Sequence, residues 1–140
     1  MEQRRRPFAT WLGRLQLWRA RRLLASAAHA DRQKGAGLLA QVAPTAATPL
    51  LIQILKDEHH LVRTAAAESL ASLRIPETLP ALLDALEEAV GNHYLSTALW
   101  ESVERITGEL AGFDFNAPEP DQRRRIADWR RKMSTAQPAS

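Results

Sequence analysis

In the run Leu61-Val62-Arg63-Thr64-Ala65-Ala66-Ala67-Glu68-Ser69-Leu70-Ala71-Ser72-Leu73, the residues Val62, Ala65, Ala66, Ser69, Leu70 and Leu73 recur at three- and four-residue steps. On a helix they form one stripe, built mostly from small side chains and therefore closely packed. Arg74-Ile75-Pro76-Glu77 then makes a turn, and Leu79-Pro80-Ala81-Leu82-Leu83-Asp84-Ala85-Leu86 starts a second apolar-periodic segment. The unit is helix, short turn, helix.

Displaced back by 31 residues, this block falls on itself: Arg63 on Arg32, Leu70 on Leu39, Leu73 on Val42, Pro80 on Pro49, Leu82 on Leu51 and Leu86 on Leu55. Displaced forward by 33, Val62 falls on Leu95, Leu70 on Val103 and Leu73 on Ile106. A self-match at a period between about 20 and 50 residues is the mark of a stacked array. The pattern, an apolar-Leu-Leu first helix, an acidic turn and then Val-Arg-x-Ala-Ala-x-x-x-Leu, resembles the HEAT-like repeat in its bacterial variety, related to the phycobilin-lyase repeats. The resemblance covers about residues 30–133, where Arg105-Ile106-Thr107-Gly108, then Gly112-Phe113-Asp114 and a terminal Arg-x-x-x-x-Trp helix are similar to the way such arrays close. It implies an all-α chain, a short right-handed α-α superhelix, with an extra basic N-terminal helix and a C-terminal closing helix.

The expected division is a basic amphipathic N-terminal helix in 1–30, the repeat domain in 31–133 and a disordered tail in 134–140. Within the array, helices are expected at about 31–43, 46–57, 61–73, 78–89 and 94–110, with the closing helix at about 120–133. Thr48-Pro49 and Pro76 supply helix-start chemistry. Gly35 and Gly37 each cost a helix about 1 kcal/mol, so close approach of the first helix is their expected use.

The formal net charge of +3 hides blocks. Residues 1–34 carry nine bases against Glu2 and Asp31, residues 35–122 carry Lys56, Arg63, Arg74 and Arg105 against thirteen acids, and residues 123–140 carry six bases against Asp128. Basic ends around an acidic middle suit nucleic acid or an anionic membrane surface, and equally suit seating on the acidic middle of the same chain or of a second copy. Cysteine is absent, which removes disulfides, thiolate catalysis and Cys-ligated zinc and makes a cytoplasmic location the expectation. Arg14, Arg19, Arg21 and Arg22 interrupt any signal-peptide core, and the uncharged stretch Gly35 to Leu55 is broken by Pro44 and Pro49, so no transmembrane segment is expected.

From Phe8 to about Ala28 only Gly13 disfavours helix, but the apolar side changes. Phe8, Trp11, Leu12, Leu15 and Trp18 share one sector, whereas Arg19 and Arg22 later occupy it and Leu17, Ala20, Leu24, Ala27 and Ala28 mark another. This helix must bury two faces or bend near Leu17 to Ala20. If the second stripe packs on the array, the first is surplus to the core. Two tryptophans and a phenylalanine beside Arg14, Arg19 and Arg22 have the composition of an interface centre.

Chemistry has few footholds. His29, His60 and His93 are repeat-equivalent and should line one ridge, but rungs about 8–10 Å apart do not gather three nitrogens within about 2.1 Å of a metal. A turn role before each second helix suffices for them, and His59 and His60, as neighbours, should face different ways. Asp57, Glu58, Asp84, Glu87, Glu88, Glu101 and Glu104 sit at helix ends or outer faces, where carboxylates are ordinarily solvated or paired with Arg63 and Arg105. No Gly-rich phosphate loop, Gly-x-Ser-x-Gly or His-Glu-x-x-His occurs. The expectation is a non-catalytic protein-interaction module without cofactor or metal, its partner another protein or a second copy of itself. Nucleic-acid or anionic-membrane contact through the basic ends, and the lyase or chaperone-like role that the phycobilin-lyase resemblance implies, are the alternatives.

Overall fold

The computed structural model describes residues 6–110 and 112–136, with the side chains of 6–10 and 45 outside the description. Among the described residues every regular element is helical: α1 (Arg6–Leu24), α2 (His29–Val42), α3 (Pro44–Ile54), α4 (His60–Leu73), α5 (Leu79–Glu88), α6 (His93–Thr107) and α7 (Glu119–Ala136), with a 3-10 turn at Pro76–Thr78 leading into α5. Helix α2 packs between α1 and α4, and α4 between α2 and α6, while α3 lies across α2 and α4 and α5 across α6 and α7. Neighbouring helices thus stack in sequence order, as in an all-α HEAT-like array.

The ends follow from local chemistry. Helix α4 stops because Arg74 turns left-handed (φ 50°) and its N–H donates to the Leu70 and Ala71 carbonyls. Helix α6 is opened by Asn92, whose Oδ1 accepts the Leu95 N–H at 3.2 Å. It is closed at Thr107, three residues before the expected limit, by Gly108 at φ 74°. The helix expected at 46–57 differs most from expectation. Pro44 supplies its first position, so Pro49 lies inside α3 rather than at its start. Two boundaries also shift: residue 30 falls within the first turn of α2, and α7 continues to Ala136, past 133. Residues 137–140 of the expected tail lie outside the described residues.

The core runs along the stack rather than around a centre. Leu39, Leu70 and Val103, equivalent under the repeat, are all fully buried. Helix α4 buries more than its expected stripe, with Thr64, Ala67 and Ala71 covered as well as Val62, Ala66, Ser69 and Leu70, because neighbours meet it on several sides. Ala65 and Leu73 are only half-buried. The small residues allow α2 and α4 to approach until Ser69 Oγ donates to the Ala36 carbonyl at 3.3 Å.

Helix α1 is continuous, and its described side chains, from Trp11 on, bury one face rather than two. Ala20 is buried and Leu17 and Leu24 lie against the core, while Ala27 and Ala28 are exposed in the turn beyond its end. Gly35 makes its close approach: a Cβ there would stand 2.9 Å from Leu24 Cγ and 3.0 Å from the Ala20 carbonyl oxygen. Gly37, expected to serve the same contact, faces open space. No helix among the described residues is long and apolar enough to cross a membrane.

Candidate functional site

Seating α1 by Ala20, Leu17 and Leu24 leaves the opposite side of the helix turned outward. Trp11 is 64% exposed and Trp18 54%, and Leu12 and Leu15 are exposed with them. Arg14, Arg19 and Arg22 are also exposed and form no ion pair among the described residues. The Arg22 guanidinium lies over the Trp18 ring, 5.3 Å from its centroid. The expected set therefore comes together as one outer face, with Phe8 alone untraced because its side chain lies outside the described residues. Beyond Trp18 the face runs into a groove of about 570 Å³ bordered by Trp18, Arg19, Arg22 and Leu23 on α1 and by Ser26 and Asp31 at the turn into α2.

The turn at the foot of that groove is held firmly. Ser26 Oγ donates to Asp31 Oδ2 at 2.8 Å, and Arg32 Nη1 donates to the Ser26 and Ala27 carbonyls at 3.1 and 2.9 Å. The same guanidinium forks onto Asp57, Nε to Oδ2 at 2.9 Å and Nη2 to Oδ1 at 3.0 Å, tying the α1–α2 turn to the α3–α4 turn. The hydrogen bond to Asp57 raises the Arg32 pKa further, against burial. Burial pushes the Asp57 carboxyl up, but the Arg32 bond, the His59 N–H and the Arg32 charge together hold it below the ordinary carboxylate range. Arg63, the repeat equivalent of Arg32, makes no such pair: its Nε is buried without a hydrogen-bond partner.

The histidines form a ridge, though not the expected one. His29 stacks on His59, centroids 3.8 Å apart and planes at 6°, and His59 stacks in turn on His60 at 4.9 Å and 17°. The two neighbours were expected to face apart. They stack because His59 is folded back as the cap of α4, its Nδ1 accepting the Leu61 N–H at 3.3 Å. His60 meets Tyr94 edge-on at 6.3 Å, while His93 turns away to Phe115 at 5.4 Å. Parallel rings present faces to one another rather than lone pairs to a common point, and among the described residues no group of three His, Asp or Glu is placed to hold a metal. Desolvation, followed by the charges of His29, His60 and Arg32, lowers the His59 pKa against the pull of Asp57.

At the other end of the stack the bases are occupied. Arg130 bonds Asp84 at 2.5 Å and Glu87 at 2.7 Å, Lys132 pairs with Glu109, and Arg123 donates to the Glu87 carbonyl at 3.2 Å. The hydrogen bond to Asp84 raises the Arg130 pKa against burial, and Glu87 adds to the rise. Asp84 and Glu87, expected to be solvated or paired with Arg63 and Arg105, are thus paired with Arg130 of the closing helix instead. An apolar hollow of about 600 Å³ near Leu79, Ile106, Trp129 and Met133 is bordered by Arg130 and Lys132. With both cations already paired, it offers no free charge to orient a ligand. Sequence reading missed this hollow, since Ile106 and Met133 are far apart in the chain and share no motif.

Against known proteins, residues 18–100 match the family model of HEAT repeats. That span opens at Trp18 on the outer face of α1 and ends at Trp100 in α6. No curated protein and no solved structure matches the chain significantly.

Proposed function

This chain belongs to the HEAT-repeat family, and we propose from that premise that it is a non-catalytic protein-interaction module working through the outer face of α1. One observation carries the reading: Trp11, Leu12, Leu15 and Trp18 are exposed together on the side of α1 opposite its seat, beside Arg14, Arg19 and Arg22, which form no ion pair among the described residues. A contiguous apolar face is uncommon on a surface that meets only water, and Trp with Arg is the composition that concentrates binding energy at interface centres. The C-terminal bases support a structural role for that end, because Arg130 and Lys132 are held by Asp84, Glu87 and Glu109 and are not free for phosphate.

The test is the double variant Trp11→Ala, Trp18→Ala. It should lose a protein partner captured by the wild-type chain while keeping its melting midpoint. A lowered midpoint with capture intact would mean that these rings stabilise the fold and that the working surface lies elsewhere.

A further inference from the structure

Resting on that reading, we propose that the occupant of the α1 face is an acidic amphipathic helix from another protein, seated along Trp11 to Trp18 with a carboxylate in the groove between Arg19 and Arg22. The charge balance is one-sided: residues 6–24 hold five arginines and no acid. Asp31, the acid bordering the groove, has one oxygen engaged by the Ser26 hydroxyl, and neither Arg19 nor Arg22 is paired with it. Each guanidinium has a flat fork of donors matched to a carboxylate, and Trp18 beside them offers a broad apolar wall. From Trp11 to Trp18 is about 10 Å of helix, the reach of two turns, so a partner helix meets it with apolar side chains three and four residues apart.

The other occupants fit the same residues less well. A second copy laid α1 on α1 would bring two sets of arginines together with no acid on either helix, since a two-fold interface places the same patch on both sides. On an anionic bilayer, Arg19 and Arg22 would be pressed toward the acyl boundary because they share the sector of Trp11, Leu12, Leu15 and Trp18 rather than flank it. A nucleic-acid strand would match the arginines but leave Leu12 and Leu15 against phosphates. A carboxylate-bearing apolar helix satisfies both kinds of residue at once.

The experiment uses the full chain and a tryptophan-free synthetic peptide of about 18 residues, helical, with leucines at three- and four-residue spacing and glutamates beside them. Its companion probes are the same peptide with lysine for every glutamate, vesicles of phosphatidylcholine with phosphatidylserine, and a single-stranded oligonucleotide. Binding, read from tryptophan emission and from calorimetry, is expected for the glutamate peptide alone and should weaken as salt rises. The variant Arg19→Glu, Arg22→Glu should weaken it by about tenfold or more with an unchanged melting midpoint. Equal binding of the lysine peptide, no binding of the glutamate peptide, or preference for vesicles or oligonucleotide would overturn the proposal, as would a dimer that Trp11→Ala, Trp18→Ala dissolves. If the tryptophan variant loses a captured protein that the charge-reversed variant keeps, the acidic occupant is wrong and the interaction-module reading stands.

Discussion

Helices α1 and α7 are built from the same materials and meet opposite fates. Each is a terminal helix with several arginines and at least one tryptophan. On α7, Trp129 is 4% exposed and packs edge-on against Trp100 with centroids 5.5 Å apart, its neighbour Arg130 reaching Asp84 and Glu87. On α1, Trp11 and Trp18 face outward, and Arg14, Arg19 and Arg22 find no acid among the described residues. The difference lies in what stands opposite. Helix α5 offers acids one turn apart, and the loop after α6 adds Phe113 at 4.8 Å from Trp100 to complete the aromatic cluster. Helix α2 offers Gly35, Ala36, Leu39 and Ala40 as its buried set, which suits only the small side of α1. Composition therefore does not decide whether a basic amphipathic helix is core or surface. The complement presented by its neighbour does.

The largest effect that could break this contrast is the removal of one ring from each end. Trp129→Ala should lower stability by about 3–5 kcal/mol, because it opens a cavity beside Trp100 and Ile126. Trp18→Ala should change it by under about 1 kcal/mol, since that ring gives up little burial and only the contact with Arg22. Urea melts of the two variants check this, and similar losses would show that the ends are not different in kind. A smaller effect sharpens the seat of α1. Gly35→Ala should cost about 1–2 kcal/mol, because the new methyl meets the Ala20 carbonyl and the Leu24 backbone nitrogen, which cannot turn aside. Gly37→Ala, in open space, should gain about 0.5–1 kcal/mol from reduced chain entropy. Thermal melts giving both variants the same sign would mean that α1 is not held by that contact.

The stack was legible because its signal is repeated: Leu39, Leu70 and Val103 could be aligned by displacement alone, and all three are buried. The two stripes on α1 were legible as separate sectors, but the sequence leaves open which of them faces outward, between exposure and a helix that bends or buries both, because that depends on what α2 presents. What the pattern did not carry were the choices made by single side chains against non-repeated neighbours. Gly35 and Gly37 look alike in sequence, yet only one lies under Ala20 and Leu24. Arg32 and Arg63 are equivalent, yet the carboxylate that Asp57 brings to the first is not matched at the second, whose Nε has no partner. Displaced by 33 residues His59 falls on Asn92, and both cap the helix that follows, but an asparagine has no ring to stack, so the fold-back of His59 onto His29 and His60 had no periodic trace.

That stack of imidazoles gives the smallest effect and the one most local to α1. Neutral His59 caps α4 through Nδ1 and lies between His29 and His60, so protonation removes the acceptor and adds a charge beside Arg32. Desolvation leads in lowering the His59 pKa, electrostatic interaction with His29, His60 and Arg32 adds to it, and Asp57 opposes them. A base whose folded pKa lies below its unfolded value favours folding while it is neutral. Its contribution is therefore whole above the unfolded histidine value of about 6.5 and is lost as pH falls through the lower folded value. The melting midpoint should decline from about pH 6.5 downward, and His59→Asn, which can cap α4 without titrating, should decline less steeply over the same window. Amide exchange should locate the loosening at the α1–α2 turn and the first turn of α4, where Arg32 and His29 meet Asp57 and His59, and leave α7 protected. Equal slopes for the two proteins, or exchange that rises first in α7, would place the acid-sensitive contact outside the histidine stack and remove the distinction between a titratable joint at the start of α2 and a permanently paired one at α7.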